Sequence, residues 1–196
     1  MLITTFPPQF IINSIVNELP ADTCGTASAC IVFKKLELPY DHNEFIKNGR
    51  DGAPTKDYPV PGSNVFGTAL AIAKTNLVDV KIYIDFDIDK EYDTLEEYEK
   101  DIIEEIKLLS NITISPSISI EEIEAKMNDS CIPILAFDKD GDSHKRHFSP
   151  FRGLSAGDYL ILPLESNGSC NCSKDEFVKN WWNDYNCRPC ILVCKK

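Results

Sequence analysis

Cys24 lies in Asp22-Thr23-Cys24-Gly25-Thr26-Ala27-Ser28-Ala29-Cys30, a run of small residues, and His147 lies far downstream in Arg146-His147-Phe148-Ser149-Pro150. A thiol and an imidazole are the nucleophile and base of covalent acyl chemistry. The thiol is a weak nucleophile until it loses its proton. A helix N-terminus and a nearby imidazolium each stabilise the thiolate. Gly25 and the small residues behind it let substrate and backbone approach, and the Cys24 amide is placed to help hold an oxyanion. A cysteine at a helix start also packs well as a small hydrophobe. The histidine segment is what favours the chemical reading.

Two further constellations contain ligand-type side chains. Cys170-Asn171-Cys172 and Cys187-Arg188-Pro189-Cys190 are two close cysteine pairs, the pattern from which tetrahedral thiolate sites for zinc or another soft metal are built. Against a metal, the first pair has a single spacer, and a helix through Trp181 and Trp182 separates the pairs. The thiol–imidazole chemistry itself requires no cofactor. Asp85, Asp87, Asp89 and Asp93 with Glu96 approach the oxygen spacing of a calcium loop, but Lys90 stands where its sharp turn needs glycine. They read better as the solvated face of a strand.

The elements that must position Cys24 and His147 follow from pattern. Asp22 or Thr23 is a candidate N-cap, and Ala27 to Leu36 then reads as a helix stopped by Pro39. Residues 48–64, rich in Gly, Pro and Asp, read as a loop, and Asn64 opens a short helix through about Lys74. Val80 to Asp89 alternates as a strand with one wet face. Thr94 to Leu109 is an acidic amphipathic helix, and Ser119 to Glu122 opens another by a capping box. Cys131 to Phe137 reads as a buried strand, and His147 to Gly153 with Asp158 to Leu164 as a hairpin. A helix over 173–184 buries Phe177 and Trp181, and Ile191 to Cys194 closes the sheet, with Cys194 in the core. Helices early and antiparallel strands late give the class α+β. One domain is expected over 1–196, a helical half to about 130 and a sheet half after it.

Size and charge narrow the function classes. The 196 residues suffice for one sizeable core. A net charge of −11, with no cluster of Lys or Arg, disfavours nucleic acid and anionic membranes as partners. No apolar run reaches the length of a membrane span or an export signal. The expected location is therefore the cytoplasm, with the eight cysteines mostly reduced.

Two segments carry a family resemblance. Thr23-Cys24-Gly25-Thr26-Ala27-Ser28, followed by Leu36-Glu37-Leu38-Pro39, resembles the nucleophile segment of phytochelatin synthases. His147-Phe148-Ser149-Pro150, then Gly153, Ala156-Gly157 and Leu160-Ile161-Leu162, resembles their histidine segment, and Ser119 to Met127 the helix before it. Glu176 to Trp182 is similar to the closing helix of C39-type peptidases. The resemblance implies a papain-like fold, a helical part packed on a twisted antiparallel sheet. It also implies acyl transfer or hydrolysis at a peptide or isopeptide bond. The donor would be a small thiol peptide such as glutathione or another γ-glutamyl-cysteine compound. Alternatives are a C39-like peptidase trimming a longer peptide, and a thiol-rich binding protein with eroded catalysis.

Within that resemblance Cys24 is the nucleophile and His147 the general base and acid. Pro163 stands where the family has the Asp that orients the histidine. Glu165, on the same strand face two residues on, is the substitute. Glu18 stands where the family has an oxyanion-binding glutamine. It could serve if burial protonates it, or Asn17 could serve through a shifted loop. The segment that binds substrate carboxylates in phytochelatin synthases is replaced by Ser166 to Cys170.

Overall fold

The computed structural model describes residues 6–51, 63–85, 87–138, 146–153 and 188–196, with Asp175, Phe177, Val178 and Trp181. Four helices come first: α1 (Gln9–Asn17), α2 (Cys24–Lys35), α3 (His42–Gly49) and α4 (Val65–Lys74). Then follow β1 (Val78–Ile84), a short helix α5 (Ile88–Glu91), α6 (Glu97–Lys107), β2 (Ile112–Pro116), α7 (Ile120–Lys126), β3 (Cys131–Asp138), β4 (Arg146–Pro150) and β5 (Cys190–Lys195).

Among the described residues one five-stranded sheet runs in the order β2-β1-β5-β3-β4. Its pairings are antiparallel except β1 with β2, which is parallel. The sheet is thus mixed, not antiparallel throughout, because α6 carries the chain back across the sheet between β1 and β2. Strands β1 and β2 both precede residue 130. The class is α+β, as expected.

Each sheet face has its own apolar layer. Val80, Ile82, Ile132, Ile134, Phe148, Ile191 and Val193 meet α2, α4 and α6 on one side. Tyr83, Leu135, Cys190 and Leu192 meet α7, Phe151, Phe177 and Trp181 on the other. Burial on both faces explains the near-continuous apolar run of β5. It also corrects the reading of β1 as half wet. That strand ends at Ile84, and Asp87 caps α5, its side chain accepting from the Lys90 amide.

Local signals placed several helix starts correctly. Asn64 accepts from the Gly67 amide at 2.6 Å. Ser119 and Glu122 close their capping box, Ser119 Oγ accepting from the Glu122 amide at 3.1 Å. Helix α3 was missed, because its eight residues lie in a polar segment of weak periodicity. It docks on α4 closely enough that a Cβ on Gly67 would stand 2.3 Å from the Gly49 carbonyl oxygen. Any larger residue there would have to part the two helices.

Cys131 and Cys194 are directly opposite on β3 and β5 and form a disulfide. This overturns the expectation of reduced cysteines for that pair and of Cys194 as plain core. It also removes one support of a cytoplasmic location. Among the described residues no helix is long and apolar enough to cross a membrane. The crosslink spans a sequence separation of 63 residues. Its reduction, or Cys194→Ser, is expected to lower stability by about 2–4 kcal/mol through the freed unfolded chain. Urea melts with and without reductant would show it, and coincident midpoints would exclude a stabilising bond.

Candidate active site

The first turn of α2 is held from a distance rather than by its own flank. Thr23, the N-cap, makes no capping bond and donates its hydroxyl to the Pro20 carbonyl at 2.7 Å. Asp22 is left-handed, at φ 63°. Neither expected cap therefore serves. The Gly25 amide donates to Ser63 Oγ at 2.7 Å. The amide and hydroxyl of Thr26 both donate to Asp51 Oδ2, at 2.9 and 2.8 Å. These bonds satisfy donors that every helix start leaves open. The Cys24 amide has no acceptor among the described residues.

Asp51 reaches α2 because α3 ends abruptly. Arg50 is left-handed, at φ 55°, and the Asp51 amide returns to the Ile46 carbonyl at 3.1 Å, a helix-terminating turn. Arg50 itself is turned the other way, its guanidinium 2.7 Å from Glu105 and 3.1 Å from the Tyr98 carbonyl on α6. The end of α3 is thereby anchored to α6 while the next residue faces the nucleophile helix.

Cys24 is partly exposed at the rim of the core. Its sulfur accepts from the Phe148 amide at 3.4 Å, and its S–H lies 3.8 Å from Ser63 Oγ. Burial pushes the thiol up. The Phe148 amide and the Ser63 hydroxyl oppose this, while the Asp51 charge adds to it, and the net direction is upward. The expected low-pKa thiolate is thus not the resting form. The helix start that should favour the anion also carries a buried carboxylate.

His147 is the second residue of β4 and pairs with Phe137 on β3. Its Nε2 is buried. Consecutive side chains leave a strand on opposite sides. Phe148 enters the core beneath α2, so His147 leaves β4, the last strand of the sheet among the described residues, from the other side. The amide of Phe148 is the group of this segment seen touching the sulfur, one residue from the imidazole.

The remaining expected residues separate into two groups. Glu18 and Asn17 end α1 and are both exposed, with Glu18 accepting from Ser14 Oγ at 3.3 Å. The burial expected of Glu18 is absent, and among the described residues no hydrogen bond joins either residue to Cys24. Glu165, Pro163, Cys170, Cys172 and Cys187 lie outside the described residues. Cys190 is described: it is enclosed in the second apolar layer, between Tyr83 and Leu135 on the neighbouring strands, and burial pushes its thiol up. It does not present itself as a metal ligand there. Among the described residues no group of three or more His, Cys, Asp or Glu side chains could hold a metal.

Asp51 and Ser63 were not expected. Both sit in the polar 48–64 stretch, where composition predicts a loop and no periodicity marks a buried position. The one available signal was negative: neither Asp22 nor Thr23 is followed by the acidic partner of a capping box.

No protein-family model matches the chain, and no curated sequence matches it significantly. Among solved structures, the peptidase domain of Streptococcus ComA superposes with a TM-score of 0.50 at 15% identity. The match covers 91% of this chain and 95% of that domain. ComA is described as a bi-functional ABC transporter involved in a quorum-sensing pathway. At this identity the likeness concerns architecture alone, and the architecture is a papain-like α+β fold.

Proposed function

We propose that the protein is a papain-like cysteine hydrolase that cleaves a peptide bond in a small or flexible peptide. The observation that carries this reading is the contact of Cys24 Sγ with the Phe148 amide at 3.4 Å. It brings the start of α2 and the histidine-bearing strand together at one point. The likeness to a peptidase domain supports the peptide as substrate class.

In the proposed cycle His147 takes the Cys24 proton. Sγ then bonds to the substrate carbonyl carbon, and the carbonyl oxygen takes the negative charge beside the Cys24 amide. The C–N bond breaks as His147 returns the proton to the leaving amine, which leaves a thioester. Water, deprotonated by His147, attacks the thioester and releases the acid and the thiol. No metal or other cofactor enters these steps. Glu165 is the proposed orienting carboxylate. The segment's resemblance to phytochelatin synthases keeps open a thiol peptide as acceptor in place of water, with a γ-glutamyl-cysteine donor.

A second reading, a binding protein with eroded catalysis, is favoured by the raised Cys24 thiol and the exposed Glu18. Incubation with a mixed peptide library and with glutathione, read by mass spectrometry, separates the readings. Cys24-dependent fragments from peptides support the hydrolase, and glycine release from glutathione alone supports the transferase. No Cys24-dependent product from either leaves only the binding protein.

A further inference from the structure

We propose that Asp51 is a positioning residue of this site: with Ser63 it pins the start of the nucleophile helix and sets the charge beside the Cys24 sulfur. The inference rests on the cysteine-nucleophile reading above, but its test does not require turnover.

The geometry of the cluster is specific. Asp51 Oδ2 takes both donors of Thr26. Ser63 Oγ in turn accepts from the Gly25 amide and faces the Cys24 S–H. A hydroxyl has one proton and two lone pairs. Ser63 accepts from the Gly25 amide and has its proton to donate to the Cys24 sulfur once that sulfur is ionised. Asp51 Oδ1 is buried with no hydrogen-bond partner. Leaving a carboxylate oxygen that way is costly, and a cap alone does not require it, since Asn would accept the same two Thr26 bonds. Space is also used up here: a Cβ on Gly25 would stand 2.3 Å from Thr68 Oγ1 and 2.7 Å from Ser63 Cβ. The start of α2, Ser63 and Thr68 of α4 are thus closely packed here.

Other charged groups around α2 do not substitute for Asp51. From α1, Glu18 acts on Cys30 and Tyr40 and is not among the influences on Cys24. From α3, Arg50 is bound to Glu105. From α4, Lys74 at the far end is bound to the same Glu105. On β3 the charged position is Asp138, opposite Arg146 on β4, and β4 also carries His147. Burial is the main influence that raises the Cys24 thiol, and among the described residues Asp51, whose own carboxyl burial also pushes up, is the negative group that adds to it.

The test is the pH dependence of iodoacetamide alkylation at Cys24, followed by peptide mass spectrometry in wild type, Asp51→Asn and Ser63→Ala. Asp51→Asn keeps the acceptor and removes the charge. Its alkaline half-point should fall by about one pH unit, giving roughly tenfold faster alkylation near neutrality. Ser63→Ala removes a hydrogen bond that favours the thiolate and should shift the profile upward. Should Asp51→Asn lose its fold, Asp51→Ser, also neutral and able to accept, takes its place under the same expectation. An Asp51→Asn profile that coincides with wild type overturns the proposal. So does a shared downward shift in both variants, which would report mere loosening of a buried thiol.

Discussion

Peptide cleavage by the His147→Ala variant should be about 10²–10⁴-fold slower than by wild type, the loss typical of a missing general base. The effect should fall on kcat rather than KM, because the imidazole acts on protons in flight and holds no part of the bound ground state. Cys24→Ala should be inactive altogether, since no covalent intermediate can form. The pair is informative because Cys24 and His147 come from opposite layers, a helix start and a strand. If His147→Ala retained wild-type kcat, a different base would have to serve the thiol.

Truncating Phe148 should produce the largest loss of stability at a position next to the chemistry. Its side chain is 1% exposed and fills the layer between β4 and α2. Phe→Ala in such a site removes about 3–5 kcal/mol. For a chain of this size that is roughly 6–20 °C in melting temperature. Alanine keeps the amide that touches Cys24, so the cavity, not the hydrogen bond, is the direct lesion. Activity measured well below the lowered melting temperature should nevertheless fall. The backbone that presents both His147 and the sulfur contact rests on this ring. A melt within 2 °C of wild type, taken at about 2–4 °C per kcal/mol, would show that α2 and β4 are held together elsewhere.

Much of the frame was legible because its signals are local. Asn64 and Ser119 announce helix starts through side-chain bonds made within three residues. Phe177 and Trp181 announce burial through helical spacing, and both are in the second apolar layer. The apolar run at Ile191 marks a central strand. Cys24 and His147 were legible as residue types in characteristic segments.

What was not legible depends on pairing across long stretches of chain. Nothing local says that β1 and β2 run parallel, since strand direction follows from where α6 returns the chain. Cys131 and Cys194 become partners only because β3 and β5 adopt a register that sets them opposite. Asp51 and Ser63 cap α2 from 25 and 38 residues away, inside a polar stretch that composition reads as a solvated loop. The state of the Cys24 thiol was misread for the same reason. A helix N-terminus argues for the anion, whereas burial first and the Asp51 carboxylate second argue against it, and both come from elsewhere in the fold.

The partnership of thiol and imidazole can be measured without knowing the substrate. Alkylation of Cys24 by a neutral reagent should show, in wild type, a step in rate ahead of the alkaline rise, as the imidazole loses its proton. In His147→Ala that step should vanish while the alkaline rise persists. A wild-type profile with the alkaline rise alone, superimposable on that of His147→Ala, would mean that sulfur and imidazole ionise independently, and the hydrolase assignment would not stand.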